Sequence, residues 1–101
     1  MVKLFSYGTL IEKEVQLREF GQEFIVEPHL VGVKDFTIDK IEIEGEYYYC
    51  AVDSPKSIIL GQIVHIPEDL LTLVDEYEGE DYKRVSVKTL SYVECLMYVK
   101  R

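Results

Sequence analysis

Four strand-like stretches follow one another through the middle of the chain, so a β-sheet must form the centre of the fold. They cover residues 23–27, 30–38, 41–52 and 57–66, and turn residues separate them at Pro28, Asp39-Lys40 and Asp53-Ser54-Pro55. Residues 2–6 predict an opening strand, and residues 82–90 and 92–100 predict a closing hairpin. The chain therefore supplies six or seven strands.

A first helix is predicted directly after the opening strand. Thr9 and Glu12 fit the S/T-x-x-E capping box, in which each residue satisfies a free backbone N–H of the other. The helix is expected to run from Thr9 to about Phe20, with Gly21 ending it.

A second helix is predicted after the fourth of the central strands. Pro67 suits the first position of a helix, and Gly79 is a natural stop. Apolar residues at helical spacing define its inward side: Leu70, Leu73, Val74 and Tyr77. Two helices against six or seven strands indicate an α+β fold, a mixed or mostly antiparallel sheet curled into a small β-barrel, rather than a doubly wound fold.

The composition limits the partners that the protein can have. Its 101 residues suit one domain, expected to span 1–101, and 19 acidic against 11 basic side chains give a formal net charge of −8. That charge argues against nucleic acid or an anionic membrane surface, and the run Tyr47-Tyr48-Tyr49, with no basic neighbours, indicates strand packing. No apolar run reaches the roughly 18 residues of a membrane span, and the opening residues are too short for a secretory signal. The expected location is the cytoplasm.

The cysteines and histidines give no sign of a metal site. Cys50 and Cys95 are far apart and flanked by apolar or aromatic residues, which predicts buried free thiols. His29 and His65 are isolated from each other and from the cysteines. We therefore expect no metal and no other cofactor.

Glu78 is the acidic residue most suited to chemistry. Five carboxylates lie between Asp75 and Asp81, and most of them are expected to be solvated. On a helical wheel of about 100° per residue, Glu78 falls on the apolar flank, whereas Glu76 projects towards water. Burial, the helix C-terminus and the acidic neighbours would all raise the pKa of Glu78 and suit it to proton transfer near neutral pH. If the helix ends earlier, Glu78 is instead an exposed loop residue.

The segment Tyr7-Gly8-Thr9-Leu10 is a second candidate. A strand that turns into a helix presents free backbone N–H groups, which can hold a carboxylate or a developing oxyanion. Gly8 would allow a ligand to approach the backbone closely. The alternative is an ordinary strand–turn–helix junction, because such junctions favour Gly and Thr in any case.

Both candidates belong to a pattern that extends along nearly the whole chain. The segments are Leu4-Phe5-Ser6-Tyr7-Gly8-Thr9-Leu10, Leu73-Val74-Asp75-Glu76-Tyr77-Glu78-Gly79 and Tyr82-Lys83-Arg84. Together they resemble the γ-glutamylcyclotransferase-like family, which includes the γ-glutamylamine cyclotransferases and the AIG2-like proteins and carries Y-G-[ST]-L, then L-D-x-[FY]-E-G and Y-x-R. The strands at residues 60–66 and 95–99 also resemble strands of that family.

The resemblance implies an activity and a set of site residues. The fold would be a small α+β barrel with a cavity at one end, and the family's catalytic glutamate falls on Glu78. A small-molecule γ-glutamyl substrate would be bound, without a cofactor, by Tyr7, Gly8, Thr9, Leu10, Tyr82 and Tyr98. In the family reaction the α-amine of the γ-glutamyl group attacks its own γ-carbonyl, which releases 5-oxoproline and a free amine.

Departures from the family pattern leave the substrate and the catalytic competence open. Residues 11–14 replace the basic residue and the later Asn of many relatives, and Val74 replaces a Leu. The acidic surface favours a cationic or neutral amine portion. The alternatives are a non-catalytic small-ligand-binding module of the same fold and an acidic interaction protein. The sequence is compatible with a monomer or a homodimer.

Overall fold

A computed structural model describes residues 1–101, which form six strands and two α-helices. The strands are β1 (Val2–Ser6), β2 (Ile25–Val26), β3 (Val31–Ile43), β4 (Glu46–Ile66), β5 (Tyr82–Lys88) and β6 (Glu94–Lys100). The helices are α1 (Lys13–Phe20) and α2 (Leu71–Glu78), and a 3-10 turn precedes each of them. Neither helix is long and apolar enough to cross a membrane. The predicted α+β class is confirmed.

The strands form one mixed sheet around β1. This strand pairs antiparallel with β4 and parallel with β6, β5 pairs with β6, and both β2 and β3 pair with β4. The predicted barrel is wrong, because the sheet is not closed. Its far ends meet through an isolated bridge between Val33 and Thr89 and a hydrogen bond from Leu90 N to Gly32 O, which is too little pairing to complete a barrel.

The two longest strands are longer than the sequence predicts. β3 continues through Asp39, and the hairpin turns instead at Glu44 and Gly45, both of which have positive φ. β4 continues through Asp53-Ser54-Pro55, because the pairing register shifts there and a bulge accommodates the unpaired residues. β2 is shorter than predicted, whereas the closing hairpin of β5 and β6 is confirmed.

The capping box predicted at Thr9 does not form. Residues 9–11 make a 3-10 turn, Glu12 has extended backbone angles, and α1 begins at Lys13. The Thr9 hydroxyl is instead hydrogen-bonded to the Tyr77 hydroxyl, at 2.7 Å. Gly21 ends the helix as predicted, in the left-handed conformation with φ of 72°.

The second helix is confirmed, but one residue of its predicted inward side is misplaced. Pro67 precedes a 3-10 turn, α2 begins at Leu71, and Gly79 ends it. Val74 is fully buried, whereas Leu73 is 46% exposed, so the buried stripe is narrower than the wheel suggests.

Alternate residues of β1 enter two apolar clusters on the two faces of the sheet. Leu4 packs in the cluster that also contains Val74 of α2, and Phe5 packs in the cluster that contains Met97 of β6. Each cluster contains one cysteine, and both cysteines are free and buried, as predicted.

Candidate functional site

A pocket of about 340 Å³ opens where β1 ends, beside the C-terminus of α2. Strand residues form its floor, and tyrosines form much of its wall. The residues that line it are Leu4, Phe5, Ser6, Tyr7, Gly8, Thr9, Tyr47, Tyr48, Tyr49, Tyr77, Glu78, Tyr82 and Tyr98. Glu78 is the one carboxylate among them, and none of them is Lys, Arg or His. The pocket therefore offers an acid among hydroxyls, aromatic faces and backbone amides.

Most residues singled out from the sequence meet at this pocket. Those that line it are Tyr7, Gly8, Thr9, Glu78, Tyr82 and Tyr98. Leu10 does not line it, because its side chain is 1% exposed and packs in the core cluster with Val74. The first three residues of the turn thus face the pocket, and the fourth anchors the turn to the core. No group of three or more His, Cys, Asp or Glu side chains is arranged to hold a metal ion.

Glu78 faces the pocket from the last residue of α2, as the helical wheel predicts. Burial raises the pKa of its carboxyl from 4.5 to about 7. The helix end and the acidic neighbours were also expected to raise this pKa, but burial is the cause of the shift. Near neutral pH the carboxyl exists in both protonation states, so it can both accept and donate a proton.

Two phenols beside Glu78 tie separate strands together. The Tyr7 hydroxyl donates to Tyr98 O at 2.7 Å and accepts from Ala51 N at 2.9 Å, so it joins β6 to β4. The Tyr82 hydroxyl donates to Tyr49 O at 2.8 Å. Burial raises the pKa of Tyr82 to about 12 and also raises the pKa of Tyr7, and the charge of Glu78 adds to both shifts. Both phenols therefore stay protonated at neutral pH and keep donating these bonds.

Asp75 fastens α2 to the closing hairpin. The Tyr98 hydroxyl donates to Asp75 Oδ1 at 2.6 Å, and Arg84 Nη1 lies 3.4 Å from the same oxygen. Burial and the bond to Asp75 raise the pKa of Tyr98. Asp75 lies one helical turn before Glu78, so these contacts fix the turn that carries the acid.

The bond between Thr9 and Tyr77 connects the two sequence motifs directly. Tyr77 precedes Glu78, and Thr9 belongs to the turn that faces it, so one hydroxyl–hydroxyl contact spans 68 positions of the chain. The Tyr77 ring also packs edge-on against Phe20 of α1, with ring centroids 5.7 Å apart. The amide-bearing turn and the carboxyl-bearing helix end are thus held next to each other at one pocket.

The sequence did not identify the contribution of the three consecutive tyrosines. Tyr47, Tyr48 and Tyr49 line the pocket, and Tyr47 is 70% exposed, so packing within a strand is the wrong interpretation. Their position depends on the pairing of β4 with β3 and on the phenol bonds from distant strands, neither of which has a local sequence signal. The sequence sign of this contribution was the run of three consecutive aromatic residues, which places aromatic rings on both faces of a strand.

The raised pKa of Glu78 predicts a pH-dependent effect of Glu78→Gln on stability. Below pH 4.5 the carboxyl is protonated in both the folded and the unfolded chain, so the variant and the wild type should be equally stable. As the pH rises from 4.5 to about 7, the Glu78 carboxyl ionises in the unfolded chain before it ionises in the folded chain, so the wild type loses stability. Glutamine does not ionise, so the variant does not lose stability in this way. At pH 8 the variant is expected to be more stable by about 1–3 kcal/mol.

Urea unfolding at pH 4 and pH 8 measures this difference. Glu76→Gln, on the exposed side of the same helix, is the matched control and should show no such gain. A gain for Glu78→Gln that is the same at both pH values would contradict a buried, ionising carboxyl.

Comparison with known sequences shows the family. Residues 4–101 match the family described as gamma-glutamyl cyclotransferase, AIG2-like. No curated protein sequence is significantly similar to the chain.

Comparison with solved structures supports the fold. A solution structure from Arabidopsis thaliana, At3g28950.1, superposes with a TM-score of 0.77 at 22% identity, covering 98% of this chain and 61% of that one. A structure titled gamma-glutamyl cyclotransferase gives 0.76 at 20% identity, with coverage of 99% and 66%. An uncharacterized Homo sapiens protein gives 0.77 at 21% identity, with coverage of 99% and 66%.

The chain spans about two thirds or less of the length of these structures, and at such identities the likeness concerns the fold alone. The sequence match is the stronger finding, because it covers almost the entire chain and includes both motifs that meet at the pocket. The chain belongs to the gamma-glutamyl cyclotransferase, AIG2-like family.

Proposed function

We propose that the chain is an enzyme of the γ-glutamyl cyclotransferase type, which converts a γ-glutamyl amine or γ-glutamyl peptide to 5-oxoproline and a free amine, with Glu78 as general acid/base. The observation that carries the proposal is the position of Glu78: a half-buried carboxyl with a pKa of about 7 lines the same pocket of about 340 Å³ as the turn at Gly8. Membership of the family supports the same reaction class.

Each step of the reaction has a group to perform it. Glu78 takes a proton from the α-ammonium of the substrate, and the freed amine nitrogen attacks the γ-carbonyl carbon. The bond between that carbon and the leaving nitrogen then breaks as Glu78 returns the proton to that nitrogen. The ring nitrogen, which became cationic when it attacked, gives up its second proton through the regenerated carboxylate, so 5-oxoproline leaves as a neutral lactam and the amine as an ammonium ion. The pKa of about 7 suits both transfers, because neither protonation state of the carboxyl is strongly favoured near neutral pH.

The remaining binding groups are neutral. No cationic side chain lines the pocket, so the α-carboxylate or the carbonyl oxygen of the substrate would be held by backbone N–H groups of residues 8–10 and by the hydroxyl proton that the Thr9–Tyr77 pair leaves free. The hydroxyl protons of Tyr7, Tyr82 and Tyr98 are already donated within the protein, so these residues would contact the substrate through their rings and oxygen lone pairs. Since ring closure is intramolecular, holding the γ-glutamyl group folded supplies much of the rate.

A substrate panel tests the proposal. The protein is incubated with γ-glutamyl dipeptides and γ-glutamylamines, and 5-oxoproline is measured by mass spectrometry. The matched control is the same panel with the α-amine acetylated, which removes the nucleophile, so no 5-oxoproline should form. Release of glutamate instead would indicate hydrolysis, and binding without any product would indicate a non-catalytic ligand-binding module.

A further inference from the structure

One edge of β4 is unpaired where the strand passes the pocket. Along residues 46–53, β3 pairs with one edge of β4. On the opposite edge β1 pairs with residues 62–66, and it ends before it reaches the tyrosines. The segment with Tyr47, Tyr49 and Ala51 therefore has a strand on one side only.

The hydrogen bonds show which backbone groups this free edge presents. In an antiparallel pair, successive residues direct their N–H and C=O groups alternately towards the partner and away from it. Ala51 N donates to the Tyr7 hydroxyl, and Tyr49 O accepts from the Tyr82 hydroxyl, so the odd-numbered residues face away from β3. The N–H and C=O of Tyr47 and the N–H of Tyr49 consequently point to the same side, where no strand receives them.

The free edge leads directly out of the proposed active site. The phenols of Tyr7 and Tyr82, which bond to its inner groups, line the same pocket as Glu78, and the charge of Glu78 contributes to the raised pKa of each of them. Tyr47 and Tyr49 line the same pocket, and their side chains are 70% and 62% exposed. A ligand that extends outwards from Glu78 would therefore pass along these unpaired backbone groups.

We propose that the free edge of β4 binds the leaving portion of the substrate as a short added strand, so that the preferred substrates are γ-glutamyl peptides rather than γ-glutamyl alkylamines. This inference rests on the proposed function for the placement of the γ-glutamyl group beside Glu78. A peptide residue in extended conformation offers an N–H to Tyr47 O and a C=O to Tyr47 N, as in β-augmentation. A γ-glutamyl alkylamine shares the N–H of the scissile amide but has no C=O beyond it, so it leaves the N–H of Tyr47 to water.

Binding to Glu78→Gln tests the inference without depending on turnover. The probes are γ-glutamyl-alanine N-methylamide and γ-glutamyl-propylamine, and isothermal titration gives both dissociation constants. The peptide is expected to bind about fivefold more tightly, since one additional hydrogen bond of ordinary net strength has about that effect.

A second substitution removes a single edge donor. Tyr47→Pro deletes the N–H that faces away from β3, so the β3–β4 ladder keeps its bonds and circular dichroism should show an intact sheet. Tyr47→Ala is the matched control, because it removes the ring and keeps the N–H. In the Glu78→Gln background, Tyr47→Pro is expected to reduce the preference for the peptide about fivefold relative to Tyr47→Ala.

The outcomes separate this inference from the proposed function. Equal affinity for the two probes, no binding of either, or the same preference in the proline and alanine variants would overturn it. So would sedimentation showing a dimer that Tyr47→Pro dissociates, because a second chain would then occupy the edge. Wild-type turnover of both probes at equal kcat/KM would contradict this inference but not the proposed reaction.

Discussion

Glu78→Gln is expected to lower kcat for 5-oxoproline release by about 10²–10⁴-fold, the usual contribution of a positioned general acid/base. Glutamine keeps the shape of the side chain and its place in the pocket, but it cannot accept the ammonium proton. Because the group acts in the chemical step, KM should change much less than kcat. Steady-state kinetics with the best substrate of the panel give both kcat and KM.

The pH dependence of the wild type provides an independent check. Glu78 must begin the reaction as the carboxylate, so kcat/KM should rise with pH and level off above an apparent pKa of about 7. Glu76→Gln, on the solvent side of α2, should retain both the rate and the profile. A Glu78→Gln protein that keeps its rate would remove this carboxyl from the mechanism, whatever the fold of the protein.

Gly61→Ala is expected to lower the free energy of unfolding by about 1–3 kcal/mol, as overpacking of a close-packed interior does. A Cβ at Gly61 would overlap Ser6 O and lie 2.8 Å from Phe5 Cζ. Ser6 O is backbone, so β1 and β4 would have to move apart. Since Phe5 and Ser6 form the pocket floor, the substrate site would move with them.

Gly8→Ala is the matched control for that substitution. Gly8 has φ of −124°, and no atom lies within 4 Å of a Cβ built on it, so alanine should leave stability nearly unchanged. Thermal and urea unfolding of the two variants measure the contrast. A Gly61→Ala protein as stable as Gly8→Ala would mean that β1 and β4 are less tightly packed than the structure indicates.

Local patterns in the sequence were sufficient to predict that Glu78 points inwards. The helical period places Glu78 inward and Glu76 outward, and Gly79 ends the helix just after the acid, so a few neighbouring residues determine its direction. The Tyr7-Gly8-Thr9 turn is likewise recognisable from adjacent residues. Both candidates therefore lie at the pocket where the sequence predicts them.

Features that depend on distant residues could not be predicted. The capping box does not form because the Thr9 hydroxyl is hydrogen-bonded to the Tyr77 hydroxyl instead. The strand break expected at Asp39 does not occur because β3 continues to pair with β4 through this residue. Closure of a barrel depends on how extensively the two far edges of the sheet pair with each other. The residues that pair there, Val33 and Thr89, are more than fifty positions apart in the sequence. The position of Tyr47 and Tyr49 in the pocket wall also depends on distant residues, because the Tyr7 and Tyr82 hydroxyls are hydrogen-bonded to the backbone of β4.

The position of β1 between β4 and β6 has a consequence for the order in which the molecule can assemble. β1 is paired on both of its edges only when β6 is in place, since Leu4 lies opposite Leu96. The floor beneath Glu78 is therefore completed only after two strands far apart in the sequence have come together. Folding with so much long-range pairing is slow compared with that of a helical bundle of similar size, because loop closure must precede those contacts. Until β6 docks, one edge of β1 remains unpaired and exposed to chaperones and to aggregation.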